Sequence, residues 1–314
     1  MLSSILMASM LTGCRGVDPA PEDVDGLLHY FWQNVDGEPE ALQEGVQTLH
    51  EVQGEAIEEV VDGNVSRLSQ EEVALVPSVD GDPADAAGIF MINTFACDAN
   101  VLEQVLIHQA QDEIREGTYD AYDRRYTSDR GAYESRASDQ LSWDISLEAS
   151  IIGSSYSSEL AGSIRAVPTE VGSGSGQAFV QRTYFVEPAQ FQNNNTWQQD
   201  FQLEVYYERA PNEIVHMYGM WRQLEVAGFT SENSGVQRQV LNGMKDWDTR
   251  RRTCASQAYS SHRAATAGGS SGCIRRPQAS RGMGSVPVSH RCTVLAERPT
   301  TWAIRRRVHP KSRN

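Results

Sequence analysis

The feature that most constrains the fold is a succession of five strand-like segments between residues 141 and 226. The first alternates apolar and polar residues with a period of two, which is typical of a half-buried strand. Short stretches rich in Gly, Ser, Asn and Pro separate the segments, as expected for hairpin turns. The segments are Leu141–Ala149, Tyr156–Val167, Ala178–Phe191, Trp197–Arg209 and Ile214–Val226. The sequence therefore predicts an antiparallel meander.

Helical periodicity precedes the meander. One apolar stripe consists of Val24, Leu27, Leu28, Phe31 and Trp32, at the three- and four-residue intervals of a single helix face. A second stripe of the same spacing runs from residue 42 to residue 61, and the two predict a helical pair. Ser69 and Glu72 form a capping box that predicts a short third helix.

The remaining elements lie on either side of the meander. The apolar run 89–92 predicts a strand, and Asp98 predicts the N-cap of a following helix. A last helix is predicted after Asn233 or Ser234, with an apolar stripe that ends at Trp247. This helix is expected to cover one face of the sheet, because a sheet face with apolar residues must be buried against another layer.

This element order, from Gly88 to Arg252, is similar to the helix-grip fold of the START and polyketide-cyclase-like superfamily. The resemblance implies a fold of the α+β class: N-terminal helices, then a curved antiparallel sheet packed on a long C-terminal helix. It also implies a cavity for an apolar ligand between the sheet and that helix. A lipocalin-like barrel or a plain two-layer α+β domain would show similar strands, and fold alone does not license a function.

The first fourteen residues contain an apolar run that ends in a short motif with a cysteine. A short apolar run ends at Leu11-Thr12-Gly13-Cys14, which resembles a bacterial lipobox. The resemblance implies a signal peptide over residues 1–13, a lipid on Cys14 and a linker over residues 14–21. Arg15 is not the aspartate associated with retention at the inner membrane, so the outer membrane is the expected location. The alternative is a buried apolar strand or helix at the N-terminus of a cytosolic protein.

Acidic and basic residues are unevenly distributed along the chain. Of 42 acidic and 27 basic residues, one acidic and eleven basic residues lie in 253–314, which leaves 41 acidic and 16 basic residues in 1–252. Because residues 1–252 have such a large excess of acidic residues, the folded surface of this part is not expected to bind nucleic acid. We expect a helical part over residues 22–78, an α+β domain over 88–252, and a disordered basic tail over 255–314. The composition of this tail resembles the product of a reading-frame error.

Motifs for catalysis or metal binding are weak. The G-x-S-x-G string at residues 268–272 lies in the tail with no strand before it. Asp80, Asp82 and Asp85 lack the glutamate that an EF-hand loop requires. We therefore expect no metal, no cofactor and no enzymatic activity. The expected function is binding of a lipid-like small molecule or of an envelope partner; a scaffold lipoprotein with a filled core is the alternative, and a cyclase- or hydrolase-like enzyme comes third.

A segment rich in Tyr and Arg, residues 119–133, precedes the meander. Aromatic and Arg side chains concentrate binding energy at recognition surfaces. The segment also contains three Asp residues, so the preferred interpretation is a solvated loop.

The expected ligand-facing residues follow from the register of the last hairpin. With Pro211-Asn212 at its tip, Tyr207 would pair with His216, and Arg222 with Phe201. Glu204 and Glu208 would then point away from the covered face. The ligand-facing set is Tyr207, His216, Tyr218, Met220 and Arg222. The competing interpretation is an internal network in which Arg222 pairs with a carboxylate such as Asp246 or Glu232.

The cysteines allow one further prediction. With Cys14 lipidated, four cysteines remain, at 97, 254, 273 and 292. Cys97 and Cys254 both lie in the patterned region, so in an oxidising compartment we expect them to form a disulfide.

Overall fold

A computed structural model describes residues 17–53, 60–115, 117–172 and 176–248. The predicted α+β class is confirmed: helices come first, and a long antiparallel sheet and a C-terminal helix follow. The helices are α1 Val24–Asn34, α2 Pro39–Gln53, α3 Gln70–Val73, α4 Ala99–Leu106, α5 Gln111–Ile114, α6 Arg130–Glu134 and α7 over residues 234–248. None of the helices in these ranges is long and apolar enough to cross a bilayer.

The sheet contains ten strands. They are β1 Val61–Val65, β2 Ala87–Ala96, β3 Ala121–Tyr126, β4 Gln140–Ile151, β5 Ser154–Pro168, β6 Gln177–Phe185, β7 Gln190–Phe191, β8 Thr196–Ala210, β9 Glu213–Val226 and β10 Phe229–Thr230. Their order is β1-β2-β9-β8-β6-β5-β4-β3, with β10 beside β9 and β7 beside β5. The long strands β4, β5, β6, β8 and β9 match the five predicted segments.

The helix caps form as the sequence predicts. Ser69 and Glu72 make the reciprocal capping box of α3. Asp98 accepts hydrogen bonds from the first turn of α4, and the Asn233 side chain accepts from the backbone of residues 235 and 236 at the start of α7. Side-chain acceptors satisfy the amides that a helix N-terminus leaves unpaired, so these short elements begin at defined residues.

Two segments differ from the expectation. The second helical stripe is predicted to run to residue 61, but Val61 begins the edge strand β1, which lies beside β2. The Tyr- and Arg-rich segment, interpreted as a solvated loop, contains β3, which pairs with β4. In both cases a neighbouring strand supplies backbone hydrogen bonds, and this tertiary contact overrides the local pattern.

Both faces of the sheet are covered. We call the face against α1 and α2 the scaffold face; it contributes Phe201, Leu203, Val205, Val215, Met217 and Trp221 to a core shared with those helices. We call the face against α7 the cavity face; Tyr218 and Met220 on this face pack near Leu241 of α7. The N-terminal helices therefore share their apolar core with the sheet.

The tip of the β8–β9 hairpin determines which residues occupy each face. Ala210 pairs with Glu213 around a two-residue turn in which Asn212 has a positive φ of 64°. A bulge between Glu208 and Ala210 then shifts all later pairs by one residue. Gly172 lies against the bulge, where a Cβ would come within 2.2 Å of the Arg209 carbonyl oxygen. A side chain at residue 172 would therefore clash with the bulge.

The predicted register is wrong because of this bulge. His216 pairs with Tyr206 instead of Tyr207, and Arg222 pairs with Asp200 instead of Phe201. The acids Glu204 and Glu208 consequently lie on the same face as His216, and both are buried. This face is nevertheless not completely filled, because a cavity lies between it and α7.

Candidate functional site

A cavity of about 480 Å³ lies between the cavity face and α7. Strands β4, β5, β6, β8 and β9 form its floor, and α7 covers it on one side. It is bordered on another side by Gln111, Arg115, Thr118, Tyr119, Tyr122 and Arg124. Its apolar walls include Ile145, Leu147, Leu160, Phe185, Val240 and Met244. Cavities of a few hundred cubic ångströms with apolar walls and a few polar groups are typical of small-molecule sites.

An ion pair occupies one part of the floor. The Arg222 guanidinium donates to the Asp200 carboxylate at 3.0 and 2.6 Å, and it lies 4.1 Å from the centre of the Trp197 ring. Burial raises the pKa of the Asp200 carboxyl, although the Arg222 charge opposes that rise. The charge of Arg222 is thus matched within the protein.

A second polar network extends from the cavity to α7. Glu204 accepts from Gln181 at 3.2 Å and from the Tyr206 hydroxyl. His216 lies 3.4 Å from Glu204 through Nε2 and 3.0 Å from Asp248 through Nδ1. Burial alone would lower the pKa of His216, but the Asp248 and Glu204 carboxylates outweigh it and raise that pKa above its ordinary value of 6.5. The network ties α7 to β8 and β9.

Several polar atoms at the cavity have no partner among the residues that the structure describes. They are Ser158 Oγ, Gln181 Oε1 and Trp197 Nε1, all on buried side chains that line the cavity. A buried polar atom without a hydrogen bond costs roughly 1–3 kcal/mol, so native proteins rarely leave one unsatisfied. Together these side chains place a donor, an acceptor and a hydroxyl in the wall of the cavity.

Two arginines border the cavity beside β3. Arg115, after α5, donates to the Tyr119 hydroxyl at 3.0 Å and stacks 3.6 Å from the centre of the Trp247 ring. Arg124, on β3, donates to the Tyr122 hydroxyl at 3.0 Å. Both arginines line the cavity. Arg124 belongs to the segment 119–133, for which a recognition surface was the less favoured interpretation of the sequence, and Arg115 lies before that segment.

The predicted ligand-facing residues separate into groups. Tyr218 and Arg222 line the cavity. His216 is fully buried beneath it, and Met220 packs against α7. Tyr207 lies on the scaffold face near His50 and is no part of this site; the bulge beside Arg209 explains its position. Arg222 does belong to an internal network, but its carboxylate partner is Asp200 on β8, whereas Glu232 pairs with Arg67.

Sequence reasoning missed Asp200 and Gln181, and it placed Glu204 on the opposite face. β8 alternates acids and glutamines with apolar residues, which is also the pattern of a strand with a solvent-exposed face, so the pattern carried no signal of their burial. Cys14 and Cys254 lie outside the described residues. Cys97 is buried at the end of β2, and its disulfide with Cys254 stays a prediction.

Comparison with known proteins yields similar folds only. No model of a known protein family matches the sequence, and no curated protein matches it either. Among solved structures, the STAR-related lipid transfer protein from Xanthomonas axonopodis is 10% identical with a TM-score of 0.38, covering 64% of this chain and 96% of that one.

Two other solved structures show a comparable likeness. Human STARD10 is 8% identical with a TM-score of 0.37, covering 65% of this chain and 86% of that one. The Zhui aromatase/cyclase from a Streptomyces species is 9% identical with a TM-score of 0.32, covering 59% of this chain and 99% of that one. Because all three scores are below 0.5, the description of this chain as helix-grip-like rests on its own strand order, register and C-terminal helix.

Proposed function

We propose that this protein is an exported, lipid-anchored binding protein that holds an amphipathic small molecule between its sheet and α7. The observation that carries the proposal is the cavity, whose apolar walls surround buried polar atoms without partners. A ligand with an apolar body and hydrogen-bonding groups would cover the walls and satisfy those atoms.

The cavity favours a carrier over a scaffold lipoprotein with a filled core. At about 480 Å³ it exceeds the roughly 300 Å³ that marks the lower end of small-molecule pockets. On the scaffold face, the side chains of residues 201, 203 and 205 of β8 and of residues 215, 217 and 221 of β9 are apolar, and apolar side chains from α1 and α2 pack directly against them. Open space is therefore a property of one face and not of loose folding in general.

We further propose that the domain is not an enzyme. His216, with a carboxylate near each ring nitrogen, is the residue best suited to act as a general base. Its ring is fully buried and does not line the cavity. A general base must come within hydrogen-bonding reach of its substrate, so this arrangement favours a structural role for His216.

The binding proposal can be tested on protein extracted from its own membranes. Native mass spectrometry should detect a co-purifying small molecule on the wild type. The variant Ser158→Phe places a ring in the cavity and should lose that molecule. Ser157→Phe is the matched control, because Ser157 is the neighbouring residue on β5 and is exposed. A wild type without any bound molecule, or equal retention by the two variants, would contradict the proposal.

The anchor is tested separately. We propose that Cys14 carries the lipid and that the acidic domain is held at the outer membrane by more than one acyl chain, because a single chain gives only reversible binding. Cells grown with an alkyne-labelled palmitate should label the wild type and not the variant Cys14→Ser. Label on the serine variant, or recovery of the wild type in the soluble fraction, would refute the anchor.

A further inference from the structure

The charges around the cavity are not distributed evenly. Nearly every arginine in the described ranges forms an ion pair with a carboxylate, including Arg222 on the cavity floor. Within those ranges only Arg115, Arg124 and Arg238 form none. Arg238 is exposed on α7, away from the cavity. The two others line it, in a chain whose first 252 residues contain 41 acids.

Arg115 is held in place without being neutralised. Its side chain lies flat on the Trp247 ring and donates one hydrogen bond to Tyr119. Its Nε is buried and has no hydrogen-bond partner among the described residues. A planar guanidinium without a carboxylate partner offers the fork of N–H groups that carboxylates and phosphates bind.

Arg124 is more deeply buried and likewise has no carboxylate partner in the part of the chain that the structure describes. It donates to the backbone carbonyl oxygen of Leu106 at 2.8 Å and lies 4.4 Å from the centre of the Trp143 ring. The hydroxyls of Tyr119 and Tyr122 accept hydrogen bonds from the two arginines, and the centres of the two tyrosine rings are 4.9 Å apart. The two guanidinium groups therefore border the same corner of the cavity, which we call the arginine corner.

We infer that the cavity takes an amphipath whose head group is an anion, either a carboxylate or a phosphate ester, bound at the arginine corner. The apolar body would extend along Ile145, Leu147 and Met244, which line the adjoining walls. This inference rests on the proposed binding function and assigns the head group to a place other than Arg222, whose charge Asp200 already balances.

Electrostatics supports this placement. A cation that is buried without a counter-ion is costly, whereas an anion brought beside it restores the lost interaction. Charge-assisted hydrogen bonds to an oxyanion are about twice as strong as neutral ones, and a low-dielectric cavity strengthens them further. The neighbouring Tyr119 and Tyr122 hydroxyls accept from the arginines and thus fix their orientation before a ligand arrives.

The test uses calorimetric titration of the delipidated full-length protein with four probes: dodecanoate, dodecyl phosphate, dodecanol and inorganic phosphate. The wild type should bind at least one of the two anionic chains about tenfold more tightly than dodecanol, the effect of one or two charge-assisted hydrogen bonds. Whichever of dodecanoate and dodecyl phosphate binds more tightly shows whether the site prefers a carboxylate or a phosphate head group. Inorganic phosphate without a chain should bind far more weakly than either.

Variants localise the head group. Arg115→Gln should weaken binding of the anionic chains about tenfold and change dodecanol binding less than about twofold. Arg115→Lys should retain much of the preference for anions. Arg238→Gln is the matched control, because it removes an unpaired charge from α7 outside the cavity; it should leave all affinities unchanged.

Two results would overturn the inference in distinguishable ways. If dodecanol binds the wild type as tightly as the anionic chains, or if Arg115→Gln affects all chains equally, the anionic head group is refuted while the binding function stands. If none of the chains binds the delipidated wild type, the binding function fails and the head-group assignment fails with it.

Discussion

On β8 and β9 the side chains that face α1 and α2 are apolar, whereas those that face α7 include Asp200, Glu204, His216 and Arg222. The same two strands thus contribute a dry, closely packed layer on the scaffold face and a polar, incompletely filled layer on the cavity face. Close apolar contacts contribute most of the folding free energy, while buried charges contribute little net stability. The scaffold face can therefore stabilise a sheet whose other face is polar and incompletely filled.

The largest expected effect comes from breaking the scaffold face. Trp32 on α1 is fully buried, contacts Phe201 and Trp221 edge to face, and donates to the Glu72 carbonyl oxygen at 2.9 Å. Trp32→Ala should lower the free energy of unfolding by about 4–5 kcal/mol in urea denaturation. Tyr156→Ala, at the border of the cavity, should cost clearly less, and equal losses would contradict the contrast between the faces.

Removal of the buried imidazole should have the next largest effect. His216→Phe keeps an aromatic ring against Tyr206 but removes the imidazole that lies beside the carboxylates of Asp248 and Glu204. We expect a loss of about 3 kcal/mol at pH 6, measured by urea denaturation, because removing one member of a buried ion pair is strongly destabilising. A loss below 1 kcal/mol would imply that His216 is neutral in the folded protein.

The same residue gives a pH dependence. The pKa of His216 is raised in the folded state, so its protonation stabilises the fold fully below the ordinary value of 6.5. That contribution disappears as pH rises through the folded pKa. NMR titration of labelled histidine should show one imidazole that is still protonated above pH 6.5 in the wild type and is absent from His216→Phe. A His216 signal that titrates at or below 6.5 would exclude this behaviour.

Filling the cavity should affect binding more than stability. Ser158→Phe removes a hydroxyl that has no partner among the described residues and adds apolar surface where space exists. The free energy of unfolding should change by less than about 1 kcal/mol, whereas overpacking a filled core costs more. Thermal denaturation measures the stability of the variant, and native mass spectrometry measures its retention of the bound molecule. A large loss of stability would mean that the cavity face is filled in solution.

The smallest effect is expected at the rim of α7. Lys245 Nζ contacts Asp62 Oδ2 of β1 at 2.9 Å, and both side chains are about one third or more exposed. Lys245→Gln should lower the free energy of unfolding by less than about 0.5 kcal/mol, because solvent and salt screen an exposed ion pair. A loss comparable with that of His216→Phe would show that α7 is held at its rim and not through Asp248.

The sequence predicted the long strands, the helix caps and the cover by α7, because these depend on local periodicity and on side chains near the backbone groups they satisfy. It could not predict the short edge strands, whose hydrogen bonds come from distant neighbours such as β2 and β4. The residues of the candidate site were harder to predict than the secondary structure. Glu204 and Glu208 were expected to face solvent because only one face of the sheet was assumed to be covered, and both faces are buried.

The bulge beside Arg209 has an evolutionary consequence. Because side chains alternate with a period of two, one extra residue at this tip is what places Asp200, Glu204 and Tyr206 on the same face as His216 and Arg222. Loss of that single residue would send the two halves of the polar network to opposite faces, whereas gain or loss of a pair would preserve them. Homologues that share this cavity should therefore vary in the length of this hairpin by even numbers of residues.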